Sequence, residues 1–172
     1  MNNSSRNIIG GNIKSVRNIL GLSQLNFSII TGLSKTTIVN IESAKNGYNL
    51  NLLDNIINFL GCTLSEISSK DFEPNENLRD ILKEKYKTMR PDFFEFLNKT
   101  PKIVYAIHFK LLKGDFLESP KETNEIKQYF EKFGWTYLGS SISNALQRMP
   151  QNVVVRNHEE KAYTKTYQKL KK

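Results

Sequence analysis

Apolar residues recur every three or four positions along most of the first hundred residues, which is the period of an amphipathic helix. Between Ile8 and Ser68 the pattern predicts five short helices. The first is expected over residues 11–20, after a polar and disordered segment 1–7, and Arg17 falls on its outward face. The fourth follows the turn signal Asn46-Gly47, with an apolar face made of Leu50, Leu53, Ile56, Ile57 and Leu60. The fifth begins with the capping-box pattern TLSE at 63–66.

The stretch Leu22 to Ala44 contains the second and third helices, and the remaining elements are arranged around it. Ser23 and Ser34 are predicted N-caps, and Gly32 stands where the second helix ends. In the third helix Ile38, Ile41 and the stem of Lys45 share one face. The opposite face carries small hydrogen-bonding side chains, namely Thr36, Asn40 and Ser43. Such a helix suits the floor of a DNA major groove.

These residues carry a resemblance to a known family. The motifs are LSQ at 22–24, TGLS at 31–34, TIVNIE at 37–42 and LLDNIINFLGCTLSEI at 52–67. The segment is similar to the Xre/Cro-like helix-turn-helix family, which implies a five-helix DNA-binding domain over residues 8–69. It departs from the family at Tyr48, where proline is frequent, and at Ser43-Ala44, where an Arg-Gly pair is common.

The resemblance implies specific contacts with DNA. It places base-edge contacts at Lys35, Thr36 and Asn40 and a phosphate contact at Gln24. The physics agrees for Asn40, because asparagine pairs bidentately with adenine; its alternative role is that of an ordinary exposed residue. Thr37 and Lys45 are further candidates for backbone contacts.

A second domain is expected over residues 78–172, after a linker at 70–77 that contains Pro74 and several acids. Apolar spacing predicts helices over about 76–89 and 91–97. The first has the stripe Leu78, Ile81, Leu82, Tyr86 and Met89, a candidate interface for a homodimer; alternatively, the stripe packs on the second domain.

The pattern of apolar residues over the last seventy residues predicts three more helices and a hairpin. The first helix is expected over residues 100–114, with Thr100 as its N-cap. The second is expected to follow the cap residue Thr123, with Phe133 facing inward. The third is expected over residues 140–149. After Pro150 the period changes to two, which predicts a β-hairpin around residues 157–160. This order resembles a winged helix-turn-helix domain. The alternative is a helical interaction domain with a terminal hairpin.

Within this region, one face of the 140–149 helix offers donors and acceptors without charge, and the hairpin adds Arg156. The predicted DNA contacts here are Ser140, Ser143, Asn144, Gln147 and Arg156. Glu159 and Glu160 would repel phosphate, whereas Lys161 and Lys165 would attract it. The expected fold class is therefore mainly α, with a five-helix domain followed by a winged-helix-like domain.

Charge supports a polyanionic partner. The chain has a formal net charge of +8 over 172 residues. Residues 1–70 hold six Lys/Arg and three Asp/Glu, residues 71–120 hold nine of each, and residues 121–172 hold ten and five. Two basic modules around a neutral middle favour nucleic acid; the alternative is the general basicity of small bacterial proteins.

Several functions are not expected. Cys62 is the single cysteine, so an intramolecular disulfide and a four-cysteine zinc site are excluded. His108 is expected to be a partly buried core histidine within an apolar helix, the alternative being a metal ligand, and His158 is expected in a loop; the spacing of the two matches no zinc site. No catalytic motif appears, so we expect no enzyme, no metal and no cofactor. The absence of long apolar runs predicts neither a signal peptide nor a membrane span, and hence a cytoplasmic protein.

Taken together, the sequence predicts a DNA-binding transcriptional regulator of bacterial or phage type, acting as a repressor on double-stranded DNA. The alternative is a DNA-binding adaptor, such as an antitoxin or a phage-defence antagonist, whose C-terminal half binds a partner protein.

Overall fold

The computed structural model describes residues 3–45, 48–49 and 51–171. This part of the chain is mainly helical, with a small three-stranded antiparallel sheet, so the predicted mainly α class is confirmed. The predictions for Asn46, Gly47, Leu50 and Lys172 lie outside the described residues. The chain divides into two compact units, Met1–Lys99 and Thr100–Lys172, here called unit 1 and unit 2.

Unit 1 consists of helices. Their bounds are α1 Asn3–Ile19, α2 Gln24–Thr31, α3 Lys35–Ser43, α4 Asn51–Leu60, α5 Leu64–Ser68, α6 Leu78–Met89 and α7 Pro91–Asn98. The predicted capping box is confirmed, because the Thr63 hydroxyl accepts from the amide of Glu66 and the Glu66 carboxylate accepts from the amide of Thr63.

Helix α1 begins at Asn3, so the predicted disorder of residues 1–7 is wrong for its described residues. Two residues explain the longer helix. Ile9 is buried in the core of unit 1, and Gly10 lets α1 approach α3 closely, because a Cβ at Gly10 would lie 2.2 Å from the Ile41 carbonyl oxygen. Helix packing therefore holds a segment whose polar sequence suggested a disordered end.

The core of unit 1 includes residues beyond the predicted linker. Leu82 of α6 and Leu97 of α7 are buried among the side chains of α1–α5. The Tyr86 hydroxyl donates to the Phe59 carbonyl at 2.6 Å, and the two rings stack. The sequence placed a boundary at residues 70–77, whereas the first compact unit extends to Lys99 because α6 and α7 complete its core.

The apolar stripe predicted on α6 requires correction. Leu82 and Tyr86 are buried, but Ile81 is 48% and Met89 68% exposed. Arg79 is buried instead, and it donates to the backbone carbonyls of Leu20 and Lys99. A guanidinium satisfied by carbonyl oxygens at helix ends can be buried where the hydrophobic period alone predicts a leucine.

Unit 2 contains α8 Ile103–Ala106, a π-helix Ile107–Leu111, a 3-10 turn Phe116–Glu118, β1 Lys121–Glu122, α9 Thr123–Glu131, α10 Gly139–Gln147, β2 Val153–Asn157 and β3 Lys165–Lys169. The predicted hairpin is confirmed, since β2 pairs antiparallel with β3. The two-residue strand β1 was not predicted. It pairs with the other side of β3, which gives the order β1-β3-β2.

The helix predicted over residues 100–114 begins three residues late and changes its winding at Ile107. Thr100 does not cap it. The Thr100 hydroxyl accepts from the amide of Thr136, and the Pro101 carbonyl accepts from Tyr137, so these residues connect to the segment before α10. These two tertiary hydrogen bonds replace the predicted N-cap.

Two side chains predicted to be inside unit 2 are outside. Phe133 is 41% exposed, while Ile126 and Phe130 form the buried face of α9. Helix α9 ends at Glu131, so Phe133 does not continue its helical period. His108 is also exposed, because Ile107 and Leu111 form the buried face of the π-helix.

Candidate nucleic-acid interface

Helices α2 and α3 are held at their ends by the predicted residues. The Ser23 hydroxyl accepts from the amide of Asn26 at 3.0 Å, and the Ser34 hydroxyl accepts from the amide of Thr37 at 3.0 Å. Gly32 ends α2 with φ 68°, the left-handed conformation that glycine adopts without strain. The turn between the two helices is thus defined by local hydrogen bonds.

Helix α3 has one buried face and one polar face, as predicted. Ile38 and Ile41 are fully buried, whereas Lys35, Thr36 and Ser43 are exposed. Asn40 is half-buried on the polar side. Thr37 is half-buried too, and its hydroxyl lies 2.9 Å from the Ser34 hydroxyl, so it takes part in the N-cap.

Lys45 does not share a face with Ile38 and Ile41, contrary to the prediction. Helix α3 ends at Ser43, and Ala44 has φ 51°, which turns the chain away from the helix axis. Lys45 is exposed beyond this turn. Its ammonium group is therefore presented by the connection after α3 and not by the helix.

A buried ion pair joins α3 to α1, and sequence reasoning missed it. Arg17, predicted to face outward, is 4% exposed and donates from Nη2 to Glu42 at 2.9 Å and from Nη1 to the Leu22 carbonyl at 3.0 Å. Gln24 donates to the same Glu42 carboxylate at 2.9 Å. The sequence did offer one signal for this ion pair, because Arg17 and Glu42 carry opposite charges and each lies next to apolar positions of its helix.

The Glu42 carboxylate of this ion pair also fixes the side chain of Gln24. One hydrogen of its amide is directed inward to Glu42, so Gln24 at the start of α2 is tied to the end of α3. The amide retains a carbonyl oxygen and a second hydrogen. Gln24 can thus contact a ligand while its orientation is set by the buried carboxylate.

Helix α10 of unit 2 shows the predicted division into two faces. Ile142 and Leu146 are fully buried, and Met149 is 7% exposed. On the other side Ser140, Asn144 and Gln147 are exposed and Ser143 is half-buried.

A chain of hydrogen bonds ties part of this face to β3. The Ser143 and Tyr167 hydroxyls lie 2.7 Å apart, and Gln147 donates to the Ser143 hydroxyl at 2.7 Å. The Lys165 ammonium group donates to the side-chain amide oxygen Oε1 of Gln147 at 2.9 Å. Ser143 and Gln147 therefore connect helix to sheet, and sequence spacing could not reveal this because the partners lie 18 to 24 residues away.

The loop between β2 and β3 is held to β1 by contacts with the Glu122 carboxylate. The Glu122 carboxylate contacts Lys161 and lies 3.3 Å from Nε2 of His158. Hydrogen bonding to Lys161, together with its positive charge, holds the pKa of the Glu122 carboxyl below its usual range. Arg156 is exposed on β2.

Over the described ranges, no helix combines the length and apolarity needed to cross a bilayer. Within the same residues, no group of three or more His, Cys, Asp or Glu side chains is gathered in an arrangement that could hold a metal ion. Comparisons of the chain with protein-family models, curated proteins and solved structures give no match.

Proposed function

We propose that the protein is a sequence-specific regulator of transcription that binds double-stranded DNA, and that unit 1 is an Xre/Cro-like helix-turn-helix domain. The observation that carries the proposal is the outward face of α3. Lys35 and Thr36 are exposed at its N-terminal end, and Asn40 lies one turn further along. These side chains supply the donors and acceptors that read base edges in a major groove.

The packing behind α3 supports this role. Ile38 and Ile41 hold the helix to the core, and the Glu42 carboxylate holds it to Arg17. Base readout depends on a recognition helix that does not change its position, because a bidentate contact requires defined geometry. We assign the backbone contacts to Gln24 and Lys45, with Thr37 supporting the N-terminal end.

The test begins with selection of bound duplexes from a random DNA pool. On the selected site, Asn40→Ala should cost roughly 1–3 kcal/mol of binding free energy, with little effect on random DNA. Asn58→Ala, an exposed asparagine on α4, is the matched control and should leave both affinities unchanged. Equal losses on selected and random DNA would remove Asn40 from base reading.

For unit 2 we propose a winged-helix arrangement with α10 as a second reading helix. The order α8, β1, α9, α10, β2, β3 and the strand order β1-β3-β2 support it. Within α10, the exposed residues Ser140 and Asn144 are the base readers, whereas Ser143 and Gln147 are held by the hydrogen bonds to β3. Arg156 would contact the DNA backbone.

A second function for unit 2 is favoured by its exposed apolar side chains. Phe133 is 41% exposed and stacks on Trp135, and Leu138 is 73% exposed. In this alternative the protein is an adaptor, such as an antitoxin or a phage-defence antagonist, and unit 2 binds a partner protein. Footprints of the wild type and of Asn144→Ala decide between the two, since an unchanged footprint and affinity would favour the adaptor.

We also propose that two copies bind together, because one reading helix covers too few base pairs for specificity in a genome. With Leu82 and Tyr86 buried in unit 1, the apolar residues of α6 that remain exposed are Ile81 and Met89. Sedimentation at micromolar concentration should give a dimer, at least with DNA. A monomer under both conditions would contradict this proposal.

A further inference from the structure

Unit 2 contains a turn of helix whose winding is unusual. In the π-helix, the amide of Leu112 donates to the carbonyl of Ile107, five residues earlier, at 2.9 Å. Such turns are rare and frequently occur at functional sites. Ile107 and Leu111 are buried, whereas Phe109 and Lys110 between them are half-buried. The turn therefore presents an aromatic ring and an ammonium group side by side at the surface.

These two residues belong to a surface of unit 2 that joins aromatic rings to lysines. We call it the aromatic–lysine patch, made of Phe109, Lys110, Lys113, Phe133 and Trp135. The Phe133 and Trp135 rings stack with their centroids 5.2 Å apart, and Phe133 is 41% exposed. The Lys110 ammonium group lies 5.9 Å from the Phe133 ring centroid. The Lys113 ammonium group lies 5.5 Å from the Phe109 ring centroid, and both distances are in the range of cation–π contacts.

Tyr105 and Tyr129 hold the parts of the patch together. The Tyr105 ring is 4% exposed, and its centroid lies 5.0 Å from that of Phe109 and 6.0 Å from that of Trp135. The Tyr129 hydroxyl donates to the Lys110 carbonyl at 3.2 Å, which ties the π-helix to α9. The patch is therefore a preformed surface, and a preformed surface loses less entropy on binding than a mobile one.

A basic groove continues from the patch at Lys113. It has a volume of about 380 Å³, and the charged and titratable side chains that line it include His108, Lys113, Lys169 and Lys171. The Glu118 carboxylate also lines it and lies 3.9 Å from the Lys169 ammonium group. Among the described residues of this lining, three lysines stand against one carboxylate. The groove therefore has an excess of positive charge.

The chemistry of this surface fits an acidic polypeptide better than a nucleic acid. Phe133 stacks on Trp135, and lysine ammonium groups lie over the rings of Phe133 and Phe109. These ring faces are therefore not open for stacking with bases, which is how aromatic side chains bind single strands. Aromatic residues are enriched at the centres of protein–protein interfaces, and carboxylates complement a basic groove. A segment with both an apolar side chain and carboxylates matches the patch and the groove together.

We propose that the aromatic–lysine patch and the basic groove form a docking site for an acidic segment of a partner protein. An apolar side chain of that segment packs on Phe133 and Trp135, and its carboxylates pair with Lys113 and Lys171. This inference rests on the protein-binding role proposed for unit 2, and it adds the chemistry of the partner. The site uses none of the α10 side chains proposed to read DNA.

The test uses the full chain and begins with selection of binders from displayed random peptides. We expect the selected peptides to be enriched in aspartate and glutamate around an apolar residue. Trp135 is the single tryptophan of the chain and lies in the patch, so its fluorescence should change as a selected peptide is added. The same peptide with asparagine and glutamine in place of its acids should bind roughly ten-fold more weakly, and added salt should reduce this difference.

The ring and the charge are tested by separate variants, each with a matched control. Phe133→Ser should weaken peptide binding roughly thirty-fold, the loss that marks an interface hot spot. Tyr163→Ser removes a fully exposed ring from the same unit and should leave binding unchanged. Lys113→Glu reverses an exposed charge of the groove and should weaken binding roughly ten-fold, whereas Lys14→Glu reverses an exposed charge in unit 1 and should not. Because Lys113 is exposed, its variant decides the matter even if Phe133→Ser lowers the stability of unit 2.

The outcomes separate this inference from the functions proposed above. Selected peptides without an excess of acids, or acidic peptides insensitive to both Phe133→Ser and Lys113→Glu, would overturn the docking site and leave a protein-binding role for unit 2 intact. Failure to select any peptide would overturn the docking site and that role together. Displacement of the peptide by single-stranded DNA, with the same dependence on Phe133 and Lys113, would reassign the surface to nucleic acid and contradict the inference. The Asn40→Ala measurement is independent of these results, because it tests α3.

Discussion

The buried ion pair between Arg17 and Glu42 gives a prediction about the stability of unit 1. The two side chains are 5% and 4% exposed, so Arg17→Met leaves the Glu42 carboxylate inside unit 1 without its counter-charge. Gln24 alone then donates to it among the contacts described above. Removing one partner of a buried pair costs about 3–5 kcal/mol, and we expect Arg17→Met to lower the free energy of unfolding by that amount.

The double variant Arg17→Met with Glu42→Leu supplies the decisive comparison. It removes both charges and replaces them with apolar side chains, a change that is often neutral or stabilising. We therefore expect the double variant to recover most of the stability that the single variant loses. Lys87→Met is the control, because Lys87 and Glu84 are exposed and their pair at 4.0 Å should contribute less than about 1 kcal/mol.

Urea unfolding followed by two probes measures this effect in the full chain. Trp135 is the single tryptophan and belongs to unit 2, so its fluorescence reports that unit. Far-ultraviolet circular dichroism reports the helices of both units. Arg17→Met should move the dichroism transition and leave the Trp135 transition in place. A loss below about 1 kcal/mol, or a double variant as unstable as the single one, would refute the reasoning.

Three further predictions follow from other contacts. A fragment ending at Lys99 should fold cooperatively, whereas one ending at Asp71 should not, because it lacks α6 and α7; thermal unfolding of both fragments checks this. Backbone and side-chain hydrogen bonds from Thr63 lower the pKa of the Glu66 carboxyl, so the stabilisation from this cap is present above the unfolded-state pKa and is lost as pH falls through the folded-state pKa; a carboxylate titration by NMR should show a smaller but persisting shift in Thr63→Ala, because the backbone amide at that position still donates to Glu66. Lys45→Gln should flatten the salt dependence of DNA binding by about one unit if Lys45 contacts phosphate, and an unchanged slope would remove it from the interface.

Local signals allowed much of unit 1 to be predicted from the sequence. Ser23, Ser34 and the TLSE pattern cap helices through hydrogen bonds to residues less than four positions away, and the structure has all three caps. The apolar period likewise placed Ile38 and Ile41 in the core. These features depend on short-range hydrogen bonds and on helical spacing, both of which are visible in a single sequence.

The features that could not be predicted depend on partners far along the chain. Arg17 lies 25 residues from Glu42, and Arg79 lies 59 residues from Leu20. A hydrophobic period assigns charged side chains to the surface by default, and only the fold brings a counter-charge or a carbonyl oxygen to them. The boundary between the units was missed for the same reason, since Leu82 and Leu97 are apolar wherever they pack.

The polar face of α10 shows how far residue type alone can define a site. Ser143, Asn144 and Gln147 were equivalent in sequence, because all three are uncharged and share one helical face. In the structure, Ser143 and Gln147 are hydrogen-bonded to one another and to Tyr167 and Lys165 of β3, whereas Asn144 is not part of this chain of hydrogen bonds. Spacing predicted the face correctly, but hydrogen bonding across the fold distinguishes its members.

Gly10 and Gly11 are adjacent in one helix, yet natural or laboratory evolution would treat them in opposite ways. A methyl group at Gly11 meets nothing within 4 Å, so Gly11→Ala should raise stability by about 0.5–1 kcal/mol through helix propensity. The same change at Gly10 would push α1 away from α3. In a library of alanine variants sorted by heat resistance, position 11 should accumulate substitutions while position 10 stays glycine, and enrichment of alanine at both positions would contradict the close helix crossing.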